Sequence, residues 1–164
     1  MNGAWGFNIT DRNYKSVPAL IATLVRAAGT GTNLLLNVGP RPDGTIQPEF
    51  VQRLREIGQW LQVYGRSIYG TRAGPVPPRS WGATTRRGDT VFVHVVSWPD
   101  RVLALPSLGA HVRQATLLSS GQSVSFSEDA SGGGLTLTLP QRHQDEYDQV
   151  VVVLLGPPRM GPPR

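Results

Sequence analysis

Cysteine is absent from the 164 residues. No disulfide framework and no thiolate metal site can form without it. Lysine is nearly absent too: Lys15 is the only one, and arginine supplies the other 15 of the 16 basic residues. The arginines are scattered, with a single adjacent pair at Arg86–Arg87. A nucleic-acid surface carries basic runs or stripes with interleaved aromatics, so the net charge of +5 does not predict a nucleic-acid partner. Long apolar runs are missing as well. The longest, Val150 to Leu155, is strand-sized and far below the roughly 20 residues needed to cross a bilayer, so no membrane partner is predicted. The opening Met1–Trp5 shows no basic region followed by an apolar core, so no signal peptide is read and localisation stays open. The sequence lacks the nucleophile elbow of serine hydrolases and the Gly-Lys-Ser/Thr of a phosphate loop. His94, His111 and His143 are too far apart for a local ligand cluster.

What is present is globular in composition: 39% hydrophobic and 16% charged. Residues 3–13 read as a loop rich in Gly, Asn and Asp. Ser16 can cap a helix whose first turn accepts Pro18. Leu20, Ile21, Leu24, Val25 and Ala28 then repeat at helical spacing, and Gly29 and Gly31 end the pattern. Asn33 to Val38 reads as a short strand. Its unbroken leucines predict a parallel strand covered on both faces. The loop Gly39–Gly44 cannot continue helix or strand. A second helix is predicted after a cap at Thr45, with Pro48 and Glu49 in its first turn. Its apolar face is Phe50, Leu54, Ile57 and Leu61, and Gly65 stops it.

Gly70 to Pro78 is dense in Gly and Pro and reads as a boundary. Beyond it the period changes to that of strands, predicted at 90–96, 101–105, 112–118, 123–126, 135–139 and 150–155. Short strands with Gly, Pro and Asp turns argue for an antiparallel sandwich. Ser131–Gly134 reads as a hairpin connection, and the Pro-rich end as a disordered tail. The acidic residues Asp145, Glu146 and Asp148 read as a turn, and His94 as a residue facing solvent or a hydroxyl.

Five motifs occur in order: WGFN at Trp5–Asn8, YKS at Tyr14–Ser16, NLLLNVGPRPDGTI at Asn33–Ile46, RLREIGQWL at Arg53–Leu61 and YGRSIYGTR at Tyr64–Arg72. Together they resemble the end of the catalytic domain of an α-L-fucosidase of glycoside hydrolase family 29. The strand-rich remainder, with VHVVSWP at Val93–Pro99, is similar to that family's C-terminal sandwich. The resemblance implies an α/β segment ending a (β/α)8-like barrel over residues 1–72 and a linker over 73–79. It further implies an antiparallel β-sandwich over 80–156 and a tail over 157–164. It implies hydrolysis of terminal α-L-fucosyl linkages by a retaining mechanism, in which one carboxylate attacks the sugar and a second acts as acid and then base. The partner is a fucosylated glycan or fucoside, and no metal or cofactor is required. It also assigns the family's nucleophilic Asp and acid/base Glu to positions upstream of Met1. The alternative is a catalytically inactive module that binds carbohydrate or a protein partner.

The resemblance makes Trp5 a wall of the fucose pocket, because an aromatic face suits the apolar side of a sugar. Read alone, without the resemblance, Trp5 is a packed core residue. Asn37 and the following loop fall at the end of a predicted barrel strand, the end where barrel sites lie, so Asn37 is a candidate substrate-binding residue. The loop can equally be turn chemistry, with Asp43 accepting from backbone amides. Asp43 and Glu49 are the candidate catalytic carboxylates this stretch offers, with a turn role and a surface role as their alternatives. An incomplete barrel would expose apolar surface, and so a homo-oligomer is predicted.

Overall fold

A computed structural model of the chain describes residues 1–129, 133–142 and 146–158. It is an α/β chain with two antiparallel sheets. The helices are α1 (Val17–Thr30) and α2 (Pro48–Tyr64), the latter followed by one 3-10 turn, Gly65–Ser67. The strands are β1 (Arg72–Ala73), β2 (Gly82–Arg87), β3 (Thr90–Val95), β4 (Val102–Pro106), β5 (Ala110–Leu117), β6 (Ser125–Glu128), β7 (Gly134–Thr138) and β8 (Gln149–Pro158). One sheet runs β1-β2-β3-β8-β5 and the other β4-β7-β6.

Strand alternation decides where the core sits. Val91, Val93 and Val95 of β3, with Val151, Val153 and Leu155 of β8, point to one face of the larger sheet. There they join Leu103, Leu105, Leu135 and Leu137 of the smaller sheet in a single buried cluster. Phe92 and Val150 point the opposite way and join Ile21, Val25, Phe50 and Trp60 of the helices in a second cluster. The larger sheet is thus covered on both faces, by the second sheet and by the helices. This explains unbroken apolar runs such as 150–155 in strands that are antiparallel.

Helix α1 forms as its sequence predicts. The Ser16 side chain accepts from the Ala19 amide at 3.4 Å, and Gly31 closes the far end at φ 69°. It lies close on β2: a Cβ on Gly29 would stand 2.6 Å from the Ala83 Cβ. Helix α2 departs from its predicted start and face. Its N-cap is Gln47 rather than Thr45. Leu54 is 42% exposed, whereas Phe50, Ile57, Trp60 and Tyr64 are buried. Trp60 and Tyr64 stack at 5.3 Å. Two aromatics bury more area than a leucine and so set which face turns inward.

The predicted strand Asn33–Val38 is not formed. These residues belong to no sheet, and Leu35 is 76% exposed. A strand exists only when a neighbour takes its backbone bonds, and no described strand lies beside this segment. Strands β1 and β2 escaped the sequence reading because Gly82–Arg87 is polar in sequence. In the structure Ala83 faces the helices, and Thr84 bonds back to the main chain of Val76. Val76, within the stretch read as a linker, is itself buried. Strand β8 continues through Pro157 and Pro158, residues read as part of the tail. Residues 131 and 132 of the predicted hairpin connection, Asp145, His143 and residues 159–164 lie outside the described residues.

Candidate functional site

Two loops, 3–13 and 39–44, are brought together beside α1 and the start of α2. Asn37 Nδ2 donates to the Trp5 carbonyl at 2.7 Å, and the Met1 amine donates to the Asn37 carbonyl at 2.7 Å. Two residues on, the loops touch through bare backbone. A Cβ on Gly39 would come within 2.5 Å of the Gly6 carbonyl carbon, so only glycine fits. The structure therefore joins Trp5 and Asn37, the two residues predicted to face substrate. Asn37 acts on the loop that carries Trp5. The indole itself is 80% exposed. It opens on a cavity of about 330 Å³ whose walls include Leu34, Leu35, Leu36 and Asn37.

Asp43 and Glu49 are placed apart from that cavity. Asp43 Oδ1 accepts from the Thr45 amide at 3.0 Å and from its hydroxyl at 2.7 Å. Those bonds brace the turn in which the Gly44 amide donates to the Arg41 carbonyl at 2.8 Å, with Gly44 at φ 82°. The Thr45 hydroxyl first, then its amide and more weakly the Arg41 charge, hold the Asp43 carboxyl below its ordinary pKa. That is the opposite of what a general acid needs. Glu49 sits in the first turn of α2, where a carboxylate suits the helix dipole. It lines a second, open cleft of about 670 Å³ with Phe7, Ile9, Arg12, Tyr14 and Arg41.

A third feature corrects the sequence analysis, which has His94 facing solvent or a hydroxyl and Asp148 in a turn. His94 and Asp148 are fully buried and form a 2.6 Å contact between Nδ1 and Oδ2. His94 Nε2 lies 3.4 Å from the Ser67 carbonyl, to which the Thr85 hydroxyl donates at 2.6 Å. The cluster ties the turn after α2 to the outer face of β2 and β3. It gives partners to His94, Thr85 and the Ser67 carbonyl, whereas the second carboxylate oxygen, Asp148 Oδ1, is buried with none. Its signal in the sequence was slight: a polar residue at an inward-alternating position of an apolar strand.

Comparison with known proteins bears on the site. A family model described as Alpha-L-fucosidase matches residues 1–66. The alpha-L-fucosidase of Branchiostoma floridae is 33% identical over 149 residues, covering 84% of this chain and 32% of that protein. The tissue alpha-L-fucosidase of Bos taurus is 32% identical over 143 residues, covering 84% and 31%. Alpha-L-fucosidase isoenzyme 1 from Paenibacillus thiaminolyticus superposes with a TM-score of 0.84 at 29% identity, over 95% of this chain and 38% of that one. A GH29 alpha-L-fucosidase from Bacteroides thetaiotaomicron, solved as a trapped covalent intermediate with 2-fluoro-fucosyl fluoride, superposes at 0.83 with 26% identity, over 93% and 36%. The chain spans about a third of the length of the curated relatives it matches.

Proposed function

The chain belongs to the α-L-fucosidase family of glycoside hydrolases, and from that premise we propose that it supplies one wall of a fucose pocket for hydrolysis of terminal α-L-fucosyl linkages. The observation that carries this reading is Trp5. A large aromatic whose backbone carbonyl is held by Asn37 and whose side chain is 80% exposed offers an apolar face that a ligand can cover. A fucosyl C5 methyl face fits it. Asn37 is the positioning residue, through the Trp5 carbonyl.

The mechanism is the retaining one. A carboxylate attacks the anomeric carbon, and a second, about 5–5.5 Å away, protonates the leaving oxygen and later activates water. The resemblance puts both carboxylates outside this sequence, and Asp43 is already committed to Thr45. Residues 1–72 are the closing part of a (β/α)8-like barrel, and 80–156 the sandwich behind it. Residues 33–38 lie between the two helices and pair with no described strand, and in this reading they hold the place of the segment's barrel strand. In this reading turnover needs two carboxylates that residues 1–164 do not supply.

A second reading, a module that binds carbohydrate without hydrolysis, is favoured for the isolated chain by the engagement of Asp43 in its turn. Release of nitrophenol from a nitrophenyl α-L-fucoside separates the two. Turnover above a mock purification supports the assembled enzyme, and binding without turnover supports the module.

A further inference from the structure

The second cleft, lined by Arg12 and Arg41, is built for a negative charge. Loops 3–13 and 39–44 run together in step: Asn37 holds Trp5, Gly39 meets Gly6, and then Phe7 and Arg41 line the second cleft. The two openings are thus two stations along the 3–13 loop, with Gly3, Ala4 and Trp5 at the first and Phe7, Ile9 and Arg12 at the second. At about 670 Å³ the second is within the range of small-ligand sites. Phe7 and Ile9 give it apolar walls, as sugar rings require. Two guanidinium groups, Arg12 and Arg41, stand against one carboxylate, Glu49. Among the described residues neither arginine has a side-chain hydrogen bond or an ion pair. Arg41 is felt by Asp43, but only as a minor influence behind Thr45. Arg53, by contrast, is fully used: it covers the Tyr14 ring at 5.2 Å and donates to the Lys15 and Glu49 carbonyls at 2.7 and 2.9 Å. It braces the wall and leaves Arg12 and Arg41 as the available cations.

The geometry points to a binding site for an anionic sugar, one bearing a sulfate ester or a carboxylate, in the cleft of Arg12, Arg41, Phe7 and Ile9. Guanidinium forks match such groups with two parallel donors. The inference deepens the fucoside reading by naming the class of the residue next to fucose, and it rests on that reading for the order of the two stations. Glu49 then accepts from sugar hydroxyls rather than opposing the anion directly.

The test measures binding of three probes to the full chain by calorimetry: lactose, lactose carrying one sulfate on galactose, and inorganic sulfate. Sulfated lactose is expected to bind at least about tenfold more tightly than lactose. The gain should shrink with salt and disappear in Arg12→Ala and Arg41→Ala, whereas Arg55→Ala on the exposed side of α2 keeps it. Equal affinity for the two lactoses overturns the inference. So does inorganic sulfate binding as tightly as the sulfated sugar, or an equal loss in Arg55→Ala. None of these probes contains fucose, so the fucoside reading stands or falls separately.

Discussion

His94 Nδ1 meets Asp148 Oδ2 at 2.6 Å with both side chains wholly buried. Removing one partner strands the other in an apolar setting, which costs about 3–5 kcal/mol. Asp148→Ala and His94→Ala should each lower the unfolding free energy read from urea titration by that amount. The double variant should cost less than the sum. Full additivity would show that the two residues do not act as a pair.

Gly39 tests the junction of the two loops. A Cβ there runs into the Gly6 main chain, so Gly39→Ala should destabilise by about 1–3 kcal/mol and weaken any ligand held at Trp5. Gly44→Ala faces open space and is strained only through its positive φ of 82°. It should cost about 1–2 kcal/mol and leave the Trp5 cavity intact. Denaturant melts and ligand titrations on both variants separate these effects.

Tyr64 sets an alkaline limit. Burial first, and the Glu146 charge next, push its phenol up to about 12 from 10.0. The folded state therefore holds the proton more tightly than the unfolded chain does. The stability it contributes is complete below pH 10 and is lost as pH climbs through 10 to 12. Tyr64→Phe should flatten that decline while keeping the stack on Trp60. An unchanged alkaline profile would remove Tyr64 from the account.

Leu34, Leu35 and Trp5 form an exposed apolar face. Size exclusion with light scattering should find self-association, and Leu35→Arg should shift the population toward monomer. A compact, soluble wild-type monomer at all concentrations would contradict this.

The helices and most strands were legible in the sequence because local signals govern them. Ser16, Gly31 and the repeat of Leu20 to Val25 describe α1 without outside help. The turn at Asp43–Thr45 was equally legible, since its bonds are local. Long-range features were not. The strand read at Asn33–Val38 needs neighbours that no described residues supply. Nothing nearby in sequence announces that His94 meets a residue 54 positions away. The Trp5–Asn37 bond, 32 positions apart, became visible only when the loops were placed together.

The central claim is that this chain presents a sugar-binding face whose catalytic carboxylates come from elsewhere. Titration of the purified chain with nitrophenyl α-L-fucoside, following heat of binding and nitrophenol release in the same sample, tests it most directly. The account predicts binding that Trp5→Ala weakens at least about tenfold without loss of fold, and no release until a polypeptide bearing the two carboxylates is added. Binding indifferent to Trp5, or release by the chain alone that vanishes in Asp43→Asn or Glu49→Gln, would contradict it.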